Sequence, residues 1–220
     1  MFNELSGQTS HDVPWHPIYS ACLPTNPHGV AGLRKCIAWH GIGHMMVQAT
    51  AGIRTMAVRM PSFSDTPHVQ VIVPFSTRLP CGGADATQVP VTGEQLVRLC
   101  YQLGGYVAEY NLNEGESRDI AGLHDVDSAT ELAYSIASVT NDDPSRLMAA
   151  AITTVEELLM VNHDICNSMV AQLLSEGYIS FTDYAAYIST VWTQDLGARI
   201  LANLERVDNE LIDHADRMLL

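Results

Sequence analysis

Lysine and arginine are scarce in this chain: 11 against 25 Asp and Glu, for a formal net charge of −14 over 220 residues. A surface this acidic repels nucleic acid and anionic membrane unless a basic patch offsets it, and the few basic residues are scattered. Long apolar runs are missing too. No window reaches the roughly 18 consecutive apolar residues that cross a bilayer. The N-terminal stretch MFNELSGQTSHDVPWHP lacks the basic-then-apolar order of a secretory leader. The cysteines, Cys22, Cys36, Cys81, Cys100 and Cys166, are odd in number and form no CxxC pair, which argues against a disulfide framework or a cysteine-based zinc site. Internal repeats and low-complexity linkers are also lacking. A soluble, cytoplasmic protein with no membrane span and no nucleic-acid partner is expected.

Hydrophobic residues make up 47% of the sequence, enough for one sizeable core. Residues 1–29 hold four prolines without sustained periodicity and read as an irregular arm. From about Val30 to Thr50, Leu33, Ile37, His40, His44 and Val47 recur at three- and four-residue steps, predicting a helix that Gly52 ends. IRTMAVRM (53–60) and HVQVIV (68–73) read as a hairpin or pair of strands, the second able to take an extended peptide along its edge. A turn-rich stretch over 79–90 leads to a helix capped at Thr92, where TGEQ has the spacing of a capping box. Residues 111–124 read as a polar loop. Helices follow at about 125–140, 144–176 and 181–218, the last with a break near Gly197. The fold class expected is α+β, mainly α-helical, with a small β-sheet inserted after the first helix.

Chemistry first shows in AWHGIGHMMV, residues 38–47. His40 and His44, at i and i+4, share one helix face about 6 Å apart at the backbone, so both imidazoles can reach one metal ion. The same spacing also describes two histidines on the polar edge of a packed helix. Support comes from TGEQLVRLCYQLGGYVAEYNL (92–112) and GLHDVDSATELAYSIASV (122–139). Together with HGIGH these resemble the peptidase domain of the FtsH family of AAA+ zinc proteases, in which a HEAGH helix precedes a small β-element, a helix with LGGRxAE and a helix beginning NDxxxAT. Leu103, Gly104, Gly105, Ala108 and Glu109 match LGG and AE; Asp125, Ala129 and Thr130 match D and AT.

The resemblance covers residues 30–190, leaving 1–29 as an arm and 191–220 as a C-terminal helical extension. It implies a zinc ion held by His40, His44 and Asp125, with a fourth position open to water as in catalytic zinc sites. It stops short of the family's ATPase module and transmembrane anchors, so a free-standing peptidase-like domain is expected. His124 replaces the family's Asn beside the ligand Asp, and Tyr106 and Tyr110 replace an Arg and a second Glu.

The gravest departure is Gly41, which stands where HExxH proteases carry the glutamate that takes a proton from metal-bound water. Glycine cannot move a proton, and it costs about 1 kcal/mol relative to alanine within a helix. The alternatives are a natural pseudo-peptidase, an engineered inactive variant, or an enzyme whose base comes from elsewhere. Glu109 is the leading substitute, with Asp127 and Glu131 behind it, and its other role is to orient a histidine ligand. His124 is either an electrophile or fourth ligand, or a solvent-facing loop residue. His163 and His214, on the late helices, are expected at the surface or core edge. Two functions follow: a zinc metallopeptidase impaired at Gly41, acting on unfolded polypeptide or peptide, or a pseudo-peptidase that binds a peptide, a protein or an FtsH-like subunit. Ile200, Leu204, Val207, Leu211 and Met218 form a late apolar stripe covered either by the chain's own domain or in a homo-oligomer.

Overall fold

The helix that carries both histidines, α1 (Gly29–Thr50), is buried on every side from Cys36 to Ala49. Trp39, Ile42, Met45 and Met46 fill the space around it, as expected of a helix apolar around its whole circumference. The structure is a computed structural model, and it describes residues 10–12, 29–51, 57–60, 70–72, 93–112, 123–191 and 195–219. The chain is mainly helical. After α1 come α2 (Gly93–Leu112), α3 (Leu123–Thr140), α4 (Pro144–Val161), α5 (His163–Glu176), α6 (Phe181–Ile188), α7 (Leu196–Arg206) and α8 (Asn209–Leu219). Helix α2 lies against α1 and also touches α3, α4 and α7, so these two helices form the centre of the molecule.

Two glycines let α1 and α2 approach. A Cβ on Gly43 would collide with the Gly104 carbonyl and lie 2.6 Å from the Ala108 Cβ, so only backbone fits at the crossing. The short strands β1 (Ser10–Asp12), β2 (Ala57–Arg59), β3 (Gln70–Ile72) and β4 (Tyr178–Ile179) pair antiparallel in the order β1-β3-β2-β4. Val58 stands opposite both Val71 and Ile179. Strand β3 therefore has a neighbour on each side, and the extended peptide expected along 68–73 has no free edge there. Ser10–Asp12, within the segment read as an irregular arm, is an edge strand on β3.

The expected 144–176 helix is two helices. Asn162, at φ −105°, lies between them, and its backbone N–H and side-chain amide both donate to the Leu158 carbonyl. Asp143 caps α4 by accepting from Ser145 N–H at 2.9 Å, with Pro144 opening the first turn. Gly177, at φ 76°, closes α5 in the left-handed conformation. The expected 181–218 helix is three, and its first break falls before Gly197, where Asp195 caps α7 through Ala198 N–H. The expected loop over 111–124 is shorter at both ends, because α2 runs to Leu112 and α3 starts at Leu123, placing His124 in a helical first turn. The Thr92 cap, the Gly52 stop and the 79–90 turns lie outside the described residues.

The late apolar stripe is covered by its own chain. Ile200, Leu204 and Met218 are buried, with Val207 and Leu211 packed against the same core. Asn203 bonds Thr154 and Glu157, Arg199 pairs with Glu157 at 2.8 Å, and His214 meets Glu156 at 3.1 Å, fastening α7 and α8 to α4. His163 is exposed beside Asp164. No helix among the described residues is long and apolar enough to cross a membrane.

Candidate metal centre

Helical periodicity places His40 and His44 one turn apart on α1, and α3 brings Asp125 from 81 residues beyond His44 to meet them. The His44 Nε2 atom is 3.0 Å from His40 Nε2, and each is 3.2 Å from Asp125 Oδ2. All three residues are buried. Donors around a tetrahedral ion with bonds of about 2.0–2.1 Å stand about 3.3 Å apart, so this triangle has the dimensions of one face of such a site. The group can hold a metal ion.

The far side of each imidazole is engaged as well. His44 Nδ1 lies 2.8 Å from the Tyr101 carbonyl, which can only accept, so Nδ1 carries the proton and Nε2 turns its lone pair to the triangle. His40 Nδ1 lies 2.7 Å from Glu109 Oε1. That approach is short but poorly aligned, leaving both atoms without a linear hydrogen bond, and it acts as a charge contact. Burial draws the His40 pKa down, but the negative charges of Asp125 and Glu109 outweigh it and raise the pKa to about 8. Burial raises the Glu109 pKa, with His40 opposing. A divalent ion with the two carboxylates Asp125 and Glu109 would make an electrically neutral cluster, which relieves the cost of burying these charges together.

The matched glycines, Ala108 and Glu109 each have a physical task around the histidines. Gly105 makes room for His40, since a Cβ there would lie 2.5–2.7 Å from three ring atoms. Gly104 and Ala108 allow the close crossing, Leu103 and Ala129 are buried in the core, and Glu109 reaches the His40 ring. Asp127 and Glu131 are exposed on α3. Gly41 is buried beside His40 and brings no side chain to the site. Sequence reasoning misses Tyr101, whose contribution is a backbone carbonyl that no residue-type pattern reveals. Tyr106 donates from its hydroxyl to the Met218 carbonyl, tying α8 to the same helix.

Compared with known proteins, the sequence matches no family model and no curated protein.

Proposed function

We propose that this chain is a zinc-binding protein of FtsH-like peptidase fold whose hydrolytic activity is weak or absent because Gly41 replaces the proton-transferring glutamate. The observation that carries the reading is the double orientation of the histidines: outer nitrogens toward Glu109 and the Tyr101 carbonyl, inner nitrogens with Asp125 in a triangle of 3.0–3.2 Å. The nitrogen-rich set suits a borderline ion better than magnesium or calcium, and two imidazoles with one carboxylate are a catalytic zinc complement. The short antiparallel strands after α1 and the Gly43–Gly104 crossing support the fold reading. Zinc bound there would polarise a carbonyl and acidify a water.

His40, His44 and Asp125 would hold the ion, and Glu109 would orient His40. Glu109 faces Nδ1, the ring nitrogen opposite the one turned to the triangle, and this favours an orienting role over that of a substitute base. A peptide- or protein-binding pseudo-peptidase is the second reading, favoured by the bare Gly41. Elemental analysis of zinc-replete protein tests the centre. About one zinc per chain is expected, lost in His44→Ala and Asp125→Ala and weakened about 10- to 100-fold in Glu109→Gln. Equal metal content in all four proteins would remove the centre.

A further inference from the structure

The stretch of α2 that orients His40 is itself held from outside. Gly105, whose missing Cβ leaves room for the His40 ring, and Glu109, which meets its Nδ1 atom, are flanked on α2 by two residues that reach other helices. Tyr106, next to Gly105, donates from its hydroxyl to the Met218 carbonyl in the last turn of α8, where carbonyls have no N–H of their own helix to meet. Asn111, two residues past Glu109, donates to Glu156 Oε1 at 2.8 Å, and the same oxygen stands 3.1 Å from His214 Nε2 on α8. Glu156 thus joins α2, α4 and α8 in one polar chain. Helix α8 depends on such ties. It has 11 residues, too few to be stable alone in water, and of its side chains only Ala215 and Met218 are buried. It packs on α4, outside the crossing of α1 and α2. An element held this lightly docks and undocks apart from the core.

We propose that α8 is a latch on the metal centre: docked through Tyr106 and His214, it fixes the 105–111 stretch of α2 so that Gly105 and Glu109 hold the His40 ring, and metal binding and α8 docking stabilise each other. This rests on the metal reading above. Tyr106 is a positioning residue, acting on the ion through α2 and His40. Coupling of this kind is reciprocal, so zinc tightens α8 by as much as docked α8 favours zinc. Plain helix packing gives no such response, because α8 supplies no ligand.

The test is amide hydrogen exchange of the full chain, read over α8 with and without zinc, beside zinc affinity from competition with a chelator. Zinc is expected to slow exchange in α8 of the wild type at least about fivefold, the low end of ordinary coupling between sites; Tyr106→Phe is expected to abolish that response and to lower zinc affinity by a similar factor. In a Glu109→Gln background the same substitution should lower zinc affinity less, since the group it positions is already gone. His214→Ala, which frees α8 from Glu156 and leaves the Asn111 contact in place, should act in the same direction, and it carries the test if Tyr106→Phe fails to fold. Exchange in α8 that zinc leaves unchanged overturns the proposal while the metal centre stands. Unchanged zinc affinity in folded Tyr106→Phe, or fully additive losses in the double variant, overturns it too. Absence of zinc binding in wild type removes both readings together.

Discussion

Gly105 and His40 occupy the same small space from opposite helices: a Cβ on Gly105 would stand 2.5 Å from His40 Cε1 and 2.6 Å from Nδ1. The glycine on α2 thus sets how the imidazole on α1 is held, and Glu109, one helical turn further along α2, meets the same Nδ1. Gly43 and Gly104 differ in kind, because what approaches them most closely is backbone.

Gly105→Ala should therefore act on the metal site and Gly43→Ala on the fold. A methyl at 105 must turn or push the His40 ring, and zinc affinity is expected to fall at least about tenfold, as for the loss of an orienting partner. A methyl at 43 forces two backbones apart, at about 1–3 kcal/mol or more. Chemical denaturation of the metal-free proteins and zinc titration of both variants separate the effects. Equal loss of affinity and stability in the two would show that Gly105 serves helix packing only.

The pH dependence of the metal-free protein has a definite sign. His40 titrates at about 8 when folded against 6.5 as its ordinary value, so its proton stabilises the fold fully below pH 6.5 and that contribution disappears as pH rises through 8. The amount at stake is at most about 2 kcal/mol. Glu109, also raised by burial, works in the same direction. Zinc needs the same nitrogen without its proton, so apparent zinc affinity should climb between pH 6.5 and 8 while metal-free stability declines. Calorimetric melting with chelator at pH 6 and 8.5 checks the first trend and zinc titration the second. A metal-free protein that gains stability across this window would show that His40 is not held protonated by its carboxylates.

Much of this was legible in the sequence where a local pattern carries the physics. The α1 and α2 spans follow from periodicity, and the joint occurrence of HxxxH, LGG with AE, and D with AT drew attention to residues that the fold gathers at one point. What remained hidden depends on distant partners. The run around Asn162 holds no Gly or Pro, yet α4 ends at Val161 and α5 starts at His163. Ser10–Asp12 is three polar residues, and it is a strand only because β3 lies alongside it. Tyr178–Ile179 is too short to show a period. The Tyr101 carbonyl belongs to the backbone, and residue type says nothing about which carbonyl will meet an imidazole.

Gly41 is the position at which activity should be recoverable. A glutamate there would be one residue from His40, and helix propensity favours it over glycine by roughly 0.5–1 kcal/mol, so Gly41→Glu is expected to fold if the buried site accommodates the longer chain. Its carboxylate would add the proton-transfer group that the surrounding residues do not supply, since Glu109 faces the outer nitrogen of His40 and Asp125 belongs to the triangle. Cleavage of an unfolded substrate such as casein should then appear, or rise about 10²-fold or more, and should stop on chelation. Zinc content and circular dichroism of the same preparation show whether site and fold survive. Strong chelator-sensitive cleavage by the Gly41 protein, lost in Glu109→Gln at unchanged zinc content, would instead make Glu109 the base. A folded, zinc-loaded Gly41→Glu that stays inert would mean that the missing carboxylate is not what keeps the centre from cleaving substrate. The binding-module reading would then be the better account of why the histidines, Asp125 and their orienting partners stand together.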